Sequence, residues 1–248
     1  MQTFWEWLRG HRWVAFLLHQ AFLFILAVGF LSAVRTATGR AIHLGRDPIG
    51  LVDGIALVLL SAVVVCATYF YYRILKGRDA APLGLKPSFR RMLELLGGLG
   101  IGFGFFIAPW LVAISQERAT ISGRIEDHFD TFSISTILAT AFFLLLVQAI
   151  TEETANRAFP IRLWEDRTLI FRLLVPALFF AIIHFVNEPF EWERLAILML
   201  AGILQGLAYV LTVNIWFTTG IHIGANVASF SITVSWYAGA VESITREP

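Results

Sequence analysis

The sequence predicts an all-α fold, a polytopic membrane helix bundle of about seven transmembrane helices with a four-helix core. Hydrophobic residues make up 57% of the 248 positions and charged residues only 15%, whereas a soluble domain averages about 25% charged residues. Long apolar runs recur along the chain, and a helix needs about 20 mainly apolar residues to cross the hydrocarbon core. The net charge of +1 gives no reason to expect nucleic acid as a partner.

The apolar runs define the predicted spans. They lie at roughly 13–34, 50–72, 92–115, 132–158, 168–187, 195–212 and 215–237. The first run is roughly 20 residues long, which exceeds the 7–15 residues of a signal-peptide core, so we interpret it as an uncleaved helix. Tryptophans near the ends of these segments fit the aromatic belt of a membrane protein.

Loop charges predict the orientation. Residues 73–91 contain a concentration of Lys and Arg, and the positive-inside rule places this loop and the N-terminus in the cytoplasm. An odd number of spans then puts the C-terminus outside.

The polar content divides the single membrane domain into two parts, N-terminal transmembrane helices over 1–131 and a core over 132–237. In the N-terminal part, the third span contains Gly98, Gly100, Gly102 and Gly104. Small residues allow helices to approach closely in lipid, so we interpret these glycines as packing residues. A lone histidine in an apolar helix, His19, is likewise predicted to be a hydrogen-bonded packing residue.

The core begins with an unusual stretch, EETANR, at the end of a long apolar run. Glu153 and Arg157 are four residues apart and so share a helix face, which predicts a structural ion pair. Neighbouring side chains on a helix point about 100° apart, so Glu152 faces elsewhere than Glu153. Charged groups at membrane depth are costly and usually functional, so we expect Glu152 to carry chemistry.

Two further motifs contain histidine. FAIIH ends at His184, and HIGAN runs from His222 to Asn226; the stretch before HIGAN also contains Gln205 and Asn214. With turns near 166–168 and 213–214, helix geometry places Glu152 and His222 roughly 12 Å below the cytoplasmic interface. His184 comes level with Glu152, so these distant positions are predicted to meet at one depth.

These residue types suit hydrolysis. A carboxylate and an imidazole can activate water as a general base, and a second imidazole with an amide can stabilise an oxyanion. The candidate catalytic residues are therefore Glu152, His184, His222 and Asn226, in a hydrolase of amide bonds within the membrane. The alternative is a metal site, in which Glu152, His184 and His222 hold zinc with water in the open position; the spacing does not separate the two.

EETANR, FAIIH and HIGAN together resemble the ordered motifs EExxxR, FxxxH and HxxxN of the CAAX-protease and bacteriocin-processing family, which includes the Ras-converting CAAX endopeptidases. The resemblance covers about 132–237. It implies an intramembrane glutamate peptidase without a cofactor, acting on a peptide or a lipidated peptide. Glu152 would be the main base with His184 beside it, His222 and Asn226 would stabilise the oxyanion, and Glu153 and Arg157 would support the site.

The chain departs from the family pattern at two positions. Asn156 precedes the arginine and Ala158 follows it, where members often have an aromatic residue and a glycine. Because prenylated CAAX proteins are a eukaryotic speciality and a compact chain of this size resembles prokaryotic members, we predict a peptidase of a prokaryotic plasma membrane and leave CAAX cleavage open. A non-catalytic reading also stays open, in which a membrane immunity or regulatory scaffold keeps the core for binding.

Overall fold

The computed structural model of the chain describes residues 4–38, 51–77, 82–119, 130–185 and 189–232. Within these ranges every regular element is helical, which confirms the predicted all-α class. The elements are α1 (Phe4–Gly10), α2 (Arg12–Thr38), α3 (Leu51–Lys76), α4 (Phe89–Ser115), α5 (Thr131–Glu153), a π-helical turn (Thr154–Ala158), α6 (Phe159–Leu163), α7 (Leu169–Ile183), α8 (Trp192–Thr212) and α9 (Ile215–Ile232).

Five helical stretches of the described residues are long and apolar enough to cross a membrane. They are Arg12–Ala37, Gly54–Lys76, Phe89–Ser115, Leu138–Leu163 and Trp192–Thr212. They correspond to five of the seven predicted spans. The seventh predicted span begins as α9, and its residues 233–237 lie outside the described residues.

The remaining predicted span, 168–187, was too long. Helix α7 is apolar but ends at Ile183, where the backbone tightens and the His184 N–H donates to the Ala181 carbonyl, three residues back. The short helix α1 was not predicted, since its seven residues contain charges and are too few to cross a membrane.

Capping residues set the turns that position the core helices. Thr168 precedes α7 and its Oγ1 accepts a hydrogen bond from the Phe171 N–H, at 3.4 Å, as expected for an N-cap threonine. Helix α8 ends at Thr212, and its C-cap residue Val213 adopts a left-handed backbone conformation with φ 48°. Both predicted turns, near 166–168 and at 213–214, are therefore confirmed.

The chain packs as two compact units, the first comprising Met1–Lys86 with Ile150–Ile215 and the second Pro87–Ala149 with Trp216–Pro248. These units describe packing. The predicted division at residue 131 concerns which part of the chain carries the chemistry, and it stays a prediction.

In the first unit, His19 joins the N-terminal helices to the residues after the π-helical turn. Its Nε2 lies 3.0 Å from Thr68 Oγ1 on α3, and its ring centroid lies 4.1 Å from that of Phe159. Both His19 and Thr68 are buried. The prediction that His19 is a hydrogen-bonded packing residue is confirmed.

In the second unit, α4 and α9 approach through glycines on both helices. A side chain added at Gly98 or Gly102 would collide with the backbone of α9 near Phe217 and Ile221. A side chain at Gly220 or Gly224 would likewise collide with the backbone of α4. We call Gly98, Gly102, Gly220 and Gly224 the glycine contact; each helix supplies two glycines four residues apart, the spacing of close helix packing in membranes.

The other glycines of the third span behave differently. Gly100 and Gly104 have no atom within 4 Å of the position that a Cβ would take. The packing prediction is thus confirmed for Gly98 and Gly102 and wrong for Gly100 and Gly104, which lie on another face of α4.

Candidate active site

The EETANR motif lies where the helix changes its winding. Residues Thr154–Ala158 form the π-helical turn, and the Phe159 N–H donates to the Thr154 carbonyl, five residues back. Pro160 comes two residues after this turn. In a regular α-helix its ring would clash with the carbonyl oxygen four residues earlier, and its missing N–H would leave one backbone hydrogen bond unmade. The wider turn accommodates the proline. Single π-helical turns inside α-helices are frequent at functional sites.

The two adjacent glutamates have different surroundings. Glu153 is 0% exposed, and its Oε1 lies 3.8 Å from Nε of Arg157, which is 1% exposed. Glu152 is partly exposed as a whole residue, although its carboxylate oxygen Oε2 is buried. The predicted Glu153–Arg157 ion pair is confirmed, and the residue next to it, Glu152, is less completely buried.

Arg157 makes two more contacts, each to a different helix. Its Nη2 donates a hydrogen bond of 2.8 Å to Oε1 of Gln205 on α8. Its guanidinium carbon lies 3.6 Å from the centroid of the Phe180 ring on α7, a cation–π contact. We call Glu153, Arg157, Phe180 and Gln205 the arginine cluster; it joins the first motif to the phenylalanine of the second.

Gln205 is the residue that sequence reasoning left out of the site. It was noted as a polar residue in an apolar helix, but it follows Arg157 by 48 positions, and no helical spacing connects the two. Gln205 is only 5% exposed, so its amide lies in the protein interior and not at the membrane surface.

Small residues bring α7 and α8 close enough for both to reach Arg157. A Cβ at Gly202 would lie 2.9 Å from the Ala177 Cβ, and one at Gly206 would lie 3.1 Å from a Leu173 methyl carbon. Gly202 and Gly206 flank Gln205 on α8. The same close approach therefore fixes the positions of Phe180 and Gln205.

His184 follows the last residue of α7, and its ring is oriented by the helix itself. Its Nδ1 lies 2.6 Å from the Phe180 carbonyl oxygen. Because a carbonyl oxygen can only accept, Nδ1 carries the hydrogen, and in the neutral imidazole Nε2 then holds a lone pair. His184 can thus accept a proton from water, or ligate a metal, through Nε2.

His222 and Asn226 lie in the second unit, on α9. Gly220 and Gly224 face α4, and a residue two positions along a helix points about 200° away. His222 therefore faces away from α4, and Asn226, two residues after Gly224, does so as well. His222 is 7% exposed. The meeting of these two residues with Glu152 and His184 at one depth stays a prediction.

The zinc alternative requires three ligands around one point. Among the described residues, no group of three His, Cys, Asp or Glu side chains is placed to hold a metal ion. Metal dependence stays a prediction, and chelation is the experiment that tests it.

Residues 134–228 match the family model described as type II CAAX prenyl endopeptidase Rce1-like. The matched segment contains all of EETANR, FAIIH and HIGAN, and it confirms the resemblance predicted from those motifs. No curated protein and no solved structure gives a significant match to the chain. Together with the five apolar helices, the match indicates an integral membrane protein with a peptidase-type core.

Proposed function

We propose that this chain, with its core like that of the type II CAAX prenyl endopeptidases, is an intramembrane endopeptidase that hydrolyses peptide bonds with an activated water. Glu152 is the main base and His184 helps to hold the water through Nε2. His222 and Asn226 stabilise the oxyanion that forms on the scissile carbonyl. Glu153 and Arg157 support the site, and the reaction uses no cofactor.

One observation supports this assignment of roles: the adjacent glutamates, Glu152 and Glu153, have different surroundings. Glu153 is fully buried against Arg157, so it cannot reach a water and a substrate without breaking a buried ion pair. Glu152 is partly exposed as a residue, although its Oε2 is buried, and it lies outside the Glu153–Arg157 pair. The lone pair on His184 Nε2, which follows from the Nδ1 hydrogen bond, supports the pairing of a carboxylate with an imidazole as a general base.

The substrate is a peptide or a lipidated peptide, and the site opens to the cytoplasmic side of a prokaryotic plasma membrane. The basic segment 73–91, which ends in Arg90 and Arg91 at the start of α4, supports this orientation through the positive-inside rule. Single cysteines are introduced at Glu6 and Ser115 in a chain whose own Cys66 is replaced by Ala. Their labelling with a reagent that cannot cross membranes tests the orientation in intact cells and inverted vesicles.

Cleavage of a library of prenylated and unprenylated peptides, read by mass spectrometry, tests the function. Purified wild type and Glu152→Gln are compared in the same detergent, and the expected result is cleavage by wild type alone. Cleavage by both proteins would mean a contaminant or a wrong assignment of the base. Cleavage by neither would favour the non-catalytic immunity or regulatory scaffold.

A chelator added to the active wild type separates the metal-free mechanism from the metal-dependent one. Unchanged cleavage is expected. Loss of cleavage that zinc restores would assign Glu152, His184 and His222 as ligands instead.

A further inference from the structure

Three groups of different chemistry hold Arg157 in place. Its guanidinium is buried at 1% exposure and meets an acid at 3.8 Å, an amide oxygen at 2.8 Å and an aromatic face at 3.6 Å. Three helical segments supply these groups, and only one of the three groups is charged. A buried guanidinium needs partners for both its charge and its hydrogens.

The amide of Gln205 is the uncharged hydrogen-bond partner of Arg157. Gln205 accepts a hydrogen bond from Arg157 without neutralising its charge, whereas a carboxylate at the same place would do both. Glu153 pairs with Arg157 at 3.8 Å, and Glu152 is the neighbour of Glu153 in the chain. With an amide at 205, the positive charge of Arg157 is left to these two carboxylates.

Aromatic and histidine side chains of α7 and α8 lie near the contact between Arg157 and Gln205. On α7 the neighbouring group is the uncharged Phe180 ring, and His184 lies one turn further on. On α8 the next polar side chain on the face of Gln205 is Tyr209, whose hydroxyl donates to the Leu83 carbonyl oxygen at 3.2 Å. Arg162 on α6 and Arg172 on α7 lie near that tyrosine, one turn of α8 beyond Gln205.

We propose that Gln205 is a positioning residue for the proposed peptidase reaction. It fixes the Arg157 guanidinium between α7 and α8 and, being uncharged, keeps the arginine charge directed at Glu152 and Glu153. This inference rests on the proposed function, since it assigns Gln205 a role in orienting the base. Gln205 itself touches no reacting atom.

Two substitutions separate the hydrogen bond from the charge. Gln205→Leu removes the acceptor, and Gln205→Glu keeps an acceptor of the same length but adds a third carboxylate that competes for Arg157. We expect both to lower kcat about 10- to 100-fold, by analogy with the loss of partners that orient metal-binding side chains, with KM within about twofold of wild type. Leu204→Ala, at the neighbouring exposed position of α8, is the matched control and should change neither.

A merely structural glutamine predicts a different pattern. The glutamate variant, which can still accept from Arg157, would then keep the wild-type kcat, and that result would overturn the charge argument. Unchanged kcat in Gln205→Leu would overturn the positioning role altogether.

A measurement without activity keeps this inference distinct from the proposed function. Unfolding midpoints in detergent of Arg157→Met, Gln205→Leu and the double variant give the coupling between the two side chains. Non-additive midpoints with an inactive wild type would refute the peptidase and leave the contact intact. Additive midpoints with an active wild type would refute the role of Gln205 and leave the peptidase standing.

Discussion

The arginine cluster in the first unit and the glycine contact in the second unit both hold candidate catalytic helices, but by opposite chemical means. Around Arg157, polar groups from several helices converge on one buried charge. Between α4 and α9, side chains are missing and the backbones meet directly. In lipid, where apolar association between helices is weak, hydrogen bonding and close packing are the two available sources of helix–helix affinity.

The two contacts differ in how they fail. A polar cluster that loses one member leaves its remaining groups buried without partners, which is costly. A glycine contact that gains one methyl group must separate two backbones. The loss of stability on substitution is therefore expected to differ between the two contacts, and an exposed ion pair gives a third case for comparison.

Loss of the central charge should have the largest effect. Arg157→Met leaves Glu153 buried at 0% exposure without its cation, and removal of one member of a buried pair lowers the free energy of unfolding by about 3–5 kcal/mol. Detergent-based unfolding of the purified protein measures this. The double variant Glu153→Gln with Arg157→Met removes both charges and should recover part of the loss; a single variant as stable as wild type would show that the pair contributes nothing.

A methyl group in the glycine contact should have an intermediate effect. Gly102→Ala drives a Cβ into the backbone of Ile221, whereas Gly100→Ala on the same helix meets no atom within 4 Å. Overpacking costs about 1–3 kcal/mol, so Gly102→Ala should unfold at lower denaturant than wild type and Gly100→Ala should not. Equal stability of the two variants would argue against the close approach of α4 and α9.

The exposed pair between Arg12 and Asp166 should have the smallest effect and depend on pH. Burial acts to raise the pKa of Asp166, but the hydrogen bond and charge of Arg12 together outweigh it and hold that pKa below its ordinary value. A lowered folded-state pKa gives stability that is present above the ordinary value of about 3.9 and is lost as pH falls through the folded value. Exposed pairs contribute less than about 1 kcal/mol.

Unfolding midpoints of wild type and Asp166→Asn, measured from neutral pH downwards, test this. Wild type should be slightly more stable at neutral pH, and the two curves should converge below pH of about 4. A gap that persists in acid would assign the effect to something other than this ion pair.

Local spacing explains why part of the arginine cluster was predictable. Glu153 and Arg157 are four residues apart on one face, so their pairing follows from helix geometry alone. Gln205 meets Arg157 only because α8 packs back along α7, and single-sequence periodicity carries no information on that register. The polar side chain in an apolar helix was a visible signal, but it pointed to no partner.

The π-helical turn was also not predicted, but for a different reason. The sequence was interpreted as one span continuing to 158, although Pro160 stands just beyond it. A proline at that point implies relief of the preceding turn, so the π-helical turn had a signal that was not used. The four-residue spacing of Gly98 and Gly102 recurs at Gly220 and Gly224 but also at Gly202 and Gly206, so the spacing alone does not identify α9 as the partner of α4.

The long separation between Arg157 and Gln205 also matters for how the protein is made. Synthesis proceeds from the N-terminus, so Arg157 leaves the ribosome 48 residues before its amide partner exists. Before α8 is made, the guanidinium has the acid of its own helix and then the Phe180 ring of α7, but no amide acceptor. The last of its three contacts therefore forms only after α8 has been synthesised.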